Sequence, residues 1–361
     1  MSSTTAPGSD VSNPLTREAV GAVDVTDQLA DILALPDHLR DAVWRVESAM
    51  LEPVDTPGGL VVAGMGGSAI GGALAAAALA DHASRPILAA RTYGLPPWTT
   101  PDTTVLCASY SGNTEETLAC YESAGALGAH RIVATTGGRL AELAREDRVP
   151  IIPLPGGFQP RAAVGYMTVT ALEVAALCGA GDRLTAEIDV AASHTEQLVA
   201  EWGPDSAEDS LAKSLARGLC DTVPVIAGAG LTAPLAYRWK TQLNENAKIP
   251  AFAHELPELD HNEIVGWESA AGLGRFAAVF LDDDDAHPRV KARIELTEQL
   301  IAPSAAATFR VHARGRTPIE RVVSLVLLGD LVSLYIAVLR GVDPQPVEVI
   351  ERLKAALAER D

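Results

Sequence analysis

Twice in its first third this chain runs a short apolar stretch into a glycine- or serine-bearing turn and straight on into a helical stretch. Gly58-Gly59-Leu60-Val61-Val62-Ala63 leads into Gly64-Met65-Gly66-Gly67-Ser68 and an alanine-rich segment at 69–80. Thr103-Thr104-Val105-Leu106-Cys107-Ala108 leads into Ser109-Tyr110-Ser111-Gly112-Asn113-Thr114, then 115–126. A continuous apolar run bounded by turn residues predicts a strand buried on both faces, which is the habit of a parallel sheet. Strand, turn and helix repeated in this way restrict the fold to a doubly wound α/β architecture. In such sheets ligands sit outside the carboxyl ends of the strands, where both turns fall.

The turns themselves suit an anion. Glu115 and Glu116 form an acidic first turn, so the second helix starts at Thr114. The hydroxyls of Ser68, Ser109, Ser111 and Thr114 thus stand at helix amino ends, where unpaired backbone N–H groups and the helix dipole favour negative charge. Gly66, Gly67 and Gly112 keep Cβ atoms out of a ligand's way. Hydroxyls add donors without a competing charge, which fits a phosphate monoester. One hydroxyl-rich turn alone is an ordinary capped turn; two turns sharing one sheet edge resemble the sugar isomerase (SIS) domain and its phosphosugar site. Neither serine lies in Gly-x-Ser-x-Gly beside an evident base, so a nucleophilic serine is not indicated.

At 361 residues the chain is long for one core, and 48% hydrophobic content supplies enough apolar surface for two. With 28 basic against 47 acidic residues, the net charge of −19 argues against nucleic acid or an anionic membrane as partner. A phosphorylated substrate must then be held by local dipoles and a few placed cations. Cys107, Cys120, Cys178 and Cys220 lie scattered in apolar segments without metal-ligand spacing, as expected of a reducing, cytoplasmic setting. Residues 1–24 read as a flexible tail without the apolar core of a signal peptide. The longest apolar tract, 319–339, contains Glu320, Arg321 and Asp330 and reads as a buried helix rather than a membrane span.

Strands are expected at 60–63, 86–90, 104–108, 131–134 and 149–154, with helices at 69–80, 115–126 and 140–145 among them, and a helix over 26–51 packs on this first domain, 25–158. Gln159-Pro160-Arg161 opens a helix running to about 178, within a helical linker at 159–218. A cation at a helix start opposes the dipole, so Arg161 is better explained by an anionic intermediate than by helix propensity. A second α/β domain, 219–342, has strands near 223–227, 276–281 and 307–311, with helices at 289–301 and 318–339. Gly228 to Thr232 echoes Gly64 to Ser68, yet no counterpart of the Ser109 to Thr114 turn follows, which gives this copy a different role. Asp282 to Asp285 reads as a solvated strand end, since the EF-hand calcium pattern is missing. A helix within 343–361 completes the chain.

The residues that carry chemistry run from Arg238 through Asn244-Glu245-Asn246 to Asp260-His261-Asn262-Glu263. Glu245 ends a helical pattern between two asparagines able to orient a carboxylate, and His261 follows a proline-broken segment. Together with Gly64-Met-Gly-Gly-Ser68, Ser109 to Thr114, Gln159-Pro-Arg161 and Lys354, this order of motifs resembles the bifunctional phosphoglucose/phosphomannose isomerase family over nearly the whole chain after the tail. The resemblance implies two SIS-type parallel-sheet domains with flanking helices. It also implies interconversion of fructose 6-phosphate with glucose 6-phosphate or mannose 6-phosphate, in glycolysis or gluconeogenesis. Ser68, Ser109, Ser111 and Thr114 would hold the phosphate, with Gly66 and Gly67 lining that loop. Glu245 would move the proton between C2 and C1, Arg161 would stabilise the cis-enediolate, and His261 and Lys354 would assist ring opening. No metal or redox cofactor is required. The resemblance further implies a homodimer in which His261 reaches the neighbour's Glu245.

The family's acceptance of both C2 epimers goes with a small hydroxyl residue shortly before the C-terminal lysine; between Gly341 and Lys354 this chain has Gln345 and Val347 but neither Ser nor Thr. Two rival readings remain in view. A non-catalytic phosphosugar sensor would share the turns but has no need of Glu245, Arg161 and His261. A nucleotide-dependent oxidoreductase would use Gly64-x-Gly66-x-x-Ala69 as its fingerprint, but Arg91 and Thr92 stand where an acidic ribose ligand belongs.

Overall fold

The computed structural model describes residues 11–360. Its first helices are α1 (Arg17–Val23), α2 (Gln28–Leu33) and α3 (Leu35–Ser48). Helix α1 corrects the expectation of a loose tail for the part of 1–24 that is described; residues 1–10 lie outside the described residues. Thr16 caps α1 by accepting from the Ala19 N–H, Val20 faces inward, and Leu15 is wholly buried with its N–H bonded to Glu208. The polar composition of the segment hid a capped helix with apolar anchors. The single helix expected over 26–51 is two, because the chain turns at Ala34 and Pro36 sits at the start of α3.

The first sheet is built from β1 (Leu60–Ala63), α4 (Gly66–Leu79), β2 (Ile87–Ala90), β3 (Thr104–Ala108), α5 (Glu115–Leu127), β4 (His130–Thr135), α6 (Gly138–Glu146) and β5 (Ile151–Pro153). Its five strands are parallel in the order β2-β1-β3-β4-β5. β1 and β3 are buried at every position, as their unbroken apolar runs predict. The strand order reverses between them, and both hydroxyl-bearing turns leave the sheet at that switch point.

Helices α7 (Val164–Leu177), α8 (Thr185–Trp202) and α9 (Leu211–Leu219) follow. They form no mere connection: α7 packs on α4 and α3, and α8 and α9 pack on a later central helix. The second sheet comprises β6 (Val223–Gly228), α10 (Ala233–Glu245), β7 (Phe252–Glu255), α11 (Ala270–Leu273), β8 (Phe276–Asp282), α12 (Pro288–Ile301) and β9 (Ala307–His312). It is parallel in the order β7-β6-β8-β9, the same winding as the first four strands of the other sheet. The repeat expected from Gly228 to Thr232 is therefore present in the topology. The place equivalent to Ser109 to Thr114 is the turn after β8, which is Asp282 to Asp285. That turn is solvated only in its second half: Asp284 and Asp285 are exposed as expected, whereas Asp282 and Asp283 are buried, and Arg321 is ion-paired to Asp283 at 3.2 Å and to Asp285.

Helix α13 (Pro318–Leu339) runs through the middle of the molecule, and α14 (Glu348–Ala358) ends the described chain. α13 has the length and hydropathy of a membrane-crossing helix, yet its apolar window is entirely buried inside this fold. Thr317 and Glu320 close a capping box at its start. Polar positions in its interior are satisfied: Asp330 accepts from Arg238 of α10 at 2.7 Å, and Ser333 accepts from Asn246 at 2.9 Å. The Trp239 indole donates to the Leu325 carbonyl at 2.8 Å, and Gly329 lies so close that a Cβ there would stand 2.4 Å from Trp239 Nε1. These contacts fix α10, and hence its last residue Glu245, against the core.

Candidate active site

The two turns at the switch point are joined to each other. Ser68, buried in the first turn of α4, accepts from the Tyr110 N–H at 3.3 Å. Ser109 and Thr114 share a hydroxyl–hydroxyl bond of 2.8 Å, and Ser109 also accepts from the Gly112 N–H at 3.1 Å. Ser111 accepts from the Asn113 N–H at 3.3 Å and is exposed at the rim. Gly112 has φ 71°, and a Cβ on it would stand 1.8 Å from the Gly137 carbonyl, so only glycine closes this turn.

The first turn abuts the segment that carries Arg161. A Cβ on Gly67 would stand 2.5 Å from the Pro160 carbonyl and 3.1 Å from the Arg161 Cα. Tyr110 reinforces the joint, its hydroxyl donating to the Pro155 carbonyl at 3.0 Å and accepting from the Phe158 N–H at 2.9 Å. Arg161 itself precedes the helix: α7 starts at Val164. The dipole conflict inferred from sequence therefore does not arise, and the position is explained by the side chain's destination instead.

That destination is the end of α10. The Arg161 side chain is only 4% exposed, and its Nη1 lies 3.3 Å from Glu245 Oε2. Its Nε donates to Asn246 Oδ1 at 2.7 Å, and its Nη2 to the Gln28 side chain at 3.1 Å and the Pro344 carbonyl at 2.9 Å. Burial pulls the guanidinium's pKa below its usual value, opposed by Glu245 and Asp330; a guanidinium starts so high that it remains charged. The flanking asparagines do not orient the Glu245 carboxylate as expected. Asn246 serves Arg161, and Asn244 donates to the Ile249 carbonyl at 2.8 Å. Lys248, which sequence reasoning passed over, donates to the carbonyls of Glu245 and Pro344 and so ties the end of α10 to the segment before α14. Burial and the Arg161 charge lower its pKa. Glu245 is partly open, on a cavity of about 620 Å³ that it shares with Lys248, Val347 and Ile350.

His261 and Lys354 are exposed, and neither is hydrogen-bonded or ion-paired to Glu245 or Arg161 within the described protomer. The turn bearing His261 is nonetheless firmly held. Asp260 accepts from Thr297 at 2.7 Å and from Arg293 at 2.9 Å, both on α12. On its other side His254 Nδ1 contacts the Glu263 carboxylate. Burial pushes the Glu263 carboxyl up to about 7 and lowers the His254 imidazole. A carboxyl whose folded pKa exceeds its unfolded value loses stability as pH rises from the ordinary carboxylate range through about 7. Glu263→Gln removes that ionisation, so its thermal midpoint should exceed the parent's at pH 8 and converge with it at pH 5. A constant offset between the two melting curves across that range rules out the buried acid.

Among the described residues no cluster of three or more His, Cys, Asp or Glu is arranged to hold a metal ion. The arrangement is a hydroxyl cradle at two helix starts, adjoining a buried cation that faces a half-open carboxylate.

Comparison with known proteins places the chain. Residues 208–357 match the bacterial phospho-glucose isomerase C-terminal SIS domain. A bifunctional phosphoglucose/phosphomannose isomerase of Caldicellulosiruptor bescii is 41% identical over 83% of this chain and 89% of its own length. That of Aquifex aeolicus is 36% identical over 83% and 90%. Among solved structures, a glucose-6-phosphate isomerase like protein from Thermus thermophilus superposes with a TM-score of 0.61 at 21% identity, covering 94% of this chain and 98% of that one. The tagatose-6-phosphate ketose/aldose isomerase of Escherichia coli does so with 0.61 at 16%, covering 95% and 98%. The structural likenesses establish the SIS fold, and the closer sequence relatives establish the lineage: the chain belongs to the bifunctional phosphoglucose/phosphomannose isomerase family.

Proposed function

We propose that this protein interconverts fructose 6-phosphate with glucose 6-phosphate, mannose 6-phosphate or both, through a cis-enediolate. The observation that carries the reading is the Arg161–Glu245 pair beside the hydroxyl cradle. Aldose–ketose isomerisation needs one base that removes a proton from one carbon and returns it to the next, and a cation for the oxyanion formed between. Glu245 is the base and Arg161 the cation, while Ser68, Ser109, Ser111 and Thr114 bind the phosphate with the N–H groups of the Gly66-Gly67 turn. A positioned carboxylate contributes about 10²–10⁴-fold as general base, and a preorganised charge at the developing oxyanion adds a separate contribution. A phosphosugar sensor would not need a base held against a buried cation. Incubating the protein with fructose 6-phosphate and resolving the products by NMR tests the reading and reports the epimer. Absence of both aldoses rejects it.

Two modules of like winding and a bridging set of helices support the division at 25–158, 159–218, 219–342 and 343–361, with the first boundary moved back to include α1. The compartment proposed is the cytoplasm, on four buried cysteines of which none forms a disulfide.

The functional unit proposed is a homodimer with shared sites, in which His261 and Lys354 assist ring opening. His261 stands exposed on a braced turn without a partner among the described residues of its own protomer, and α14 presents Val349, Leu353 and Leu357 to solvent. A short helix with an unburied apolar stripe is marginal alone. A two-fold interface makes donation of His261 reciprocal. Mixing Glu245→Gln and His261→Ala protomers, each inactive, under subunit exchange should restore about a quarter of normal activity, because half the dimers are mixed and half their sites intact. No recovery above the parents means that His261 acts in its own protomer or not at all.

A further inference from the structure

The groups that hold Arg161 are, with one exception, neutral. Nε meets Asn246, Nη2 meets Gln28 and the Pro344 and Gln345 carbonyls, and Nη1 meets Gln159 and Glu245; only Glu245 bears charge. Gln28 comes from the first turn of α2, remote in sequence, and is 3% exposed. Its own backbone is pinned, since its N–H donates to the buried Asp24 at 3.0 Å. Its side-chain amide is fixed at both ends: Oε1 accepts from Arg161, and Nε2 donates to Asn246 Oδ1 at 2.9 Å. A guanidinium has no acceptor, so this is the amide orientation the site permits. Gln28, Asn246 and Arg161 thus close a ring of three side chains, which Asn246 anchors to Ser333 of α13.

We propose that Gln28 is a positioning residue for catalysis: it fixes the Arg161 guanidinium with Nη1 toward Glu245 while leaving its positive charge unneutralised. The inference rests on the isomerase reading and concerns the same site. A carboxylate in this place would still accept from the guanidinium, but it would compensate its charge and lose the donation to Asn246. The enediolate's negative charge develops only on the way to the transition state. Loss of cationic field therefore falls on kcat, and binding of the ground-state sugar is nearly unaffected.

The test compares Gln28→Glu and Gln28→Met in the full chain, with fructose 6-phosphate as substrate. A hydroxamic acid that mimics the enediolate and carries the same phosphate serves as a second probe. For Gln28→Glu the expected result is KM within about threefold of the parent's. Its kcat should be lower by about tenfold or more, with a parallel loss in affinity for the hydroxamate. Gln28→Met keeps the volume and removes the acceptor, so it should lower kcat at unchanged KM. A purely structural glutamine would cost stability on replacement but spare kcat: a kcat within twofold of the parent's overturns the proposal, as does a loss that lies equally in KM. Should Gln28→Glu fail to fold, unchanged kcat in Gln28→Met overturns it. Absence of turnover in the unmodified protein defeats the isomerase reading and this inference with it, whereas normal turnover there with an unaffected Gln28→Glu defeats the inference alone.

Discussion

Glu245→Gln is expected to lower kcat by about 10²–10⁴-fold while leaving phosphosugar affinity within a few-fold. Glutamine has nearly the same shape and still accepts from Arg161 Nη1, which stands 3.3 Å away. The hydroxyl cradle sits on other elements and is untouched, since Ser68 lies in the first turn of α4 and Thr114 immediately precedes α5. What disappears is the carboxylate that faces the buried cation. The decisive measurement is exchange of the substrate's C1 and C2 protons with solvent deuterium. If the variant still exchanges them at a rate near the parent's, another group is the base and the assignment of Glu245 fails.

Much of this site could be read before its geometry was known, for physical reasons that differ from residue to residue. Strands β1 and β3 announce themselves because both faces are buried, so their apolar runs are unbroken. Their turns are equally plain, because serine and glycine there have no core to fill. The same logic explains what was missed. β7 is an edge strand with Phe252 and Glu255 exposed and Ala253 and His254 half-buried, so it lacks the apolar signature and passes for a loop. Gln28 gives no local signal either. It sits in a short helix of ordinary composition, and its role exists only because folding brings it against Arg161 and Asn246. The sequence argument for Arg161 rests on a helix start that the structure removes, since the residue lies ahead of α7 rather than within its first turn.

Asp330→Ala is expected to cost about 3–5 kcal/mol of unfolding free energy. Asp330 and Arg238 are both almost wholly buried, and two N–H···O contacts join one guanidinium nitrogen to both carboxylate oxygens. Burial raises the Asp330 pKa, and Arg238 opposes that shift. Removing the acid strands a buried cation that also donates to the Arg161 carbonyl at 3.3 Å. The loss should therefore exceed that of truncating an aspartate at the surface. Replacing both partners, as Arg238→Met with Asp330→Leu, should recover much of the stability, because an apolar pair of similar volume avoids the desolvation penalty. Denaturant unfolding of the two variants checks both statements. A loss below about 1 kcal/mol in Asp330→Ala means that water reaches the pair.

The two sheets wind alike, yet the turn that leaves β3 carries hydroxyls while the turn that leaves β8 carries four consecutive aspartates, of which Arg321 pairs with two. A phosphate entering the second crevice meets net negative charge and a guanidinium already taken. The second module thus repeats the winding without the hydroxyl cradle, and the expected stoichiometry is one phosphosugar per chain.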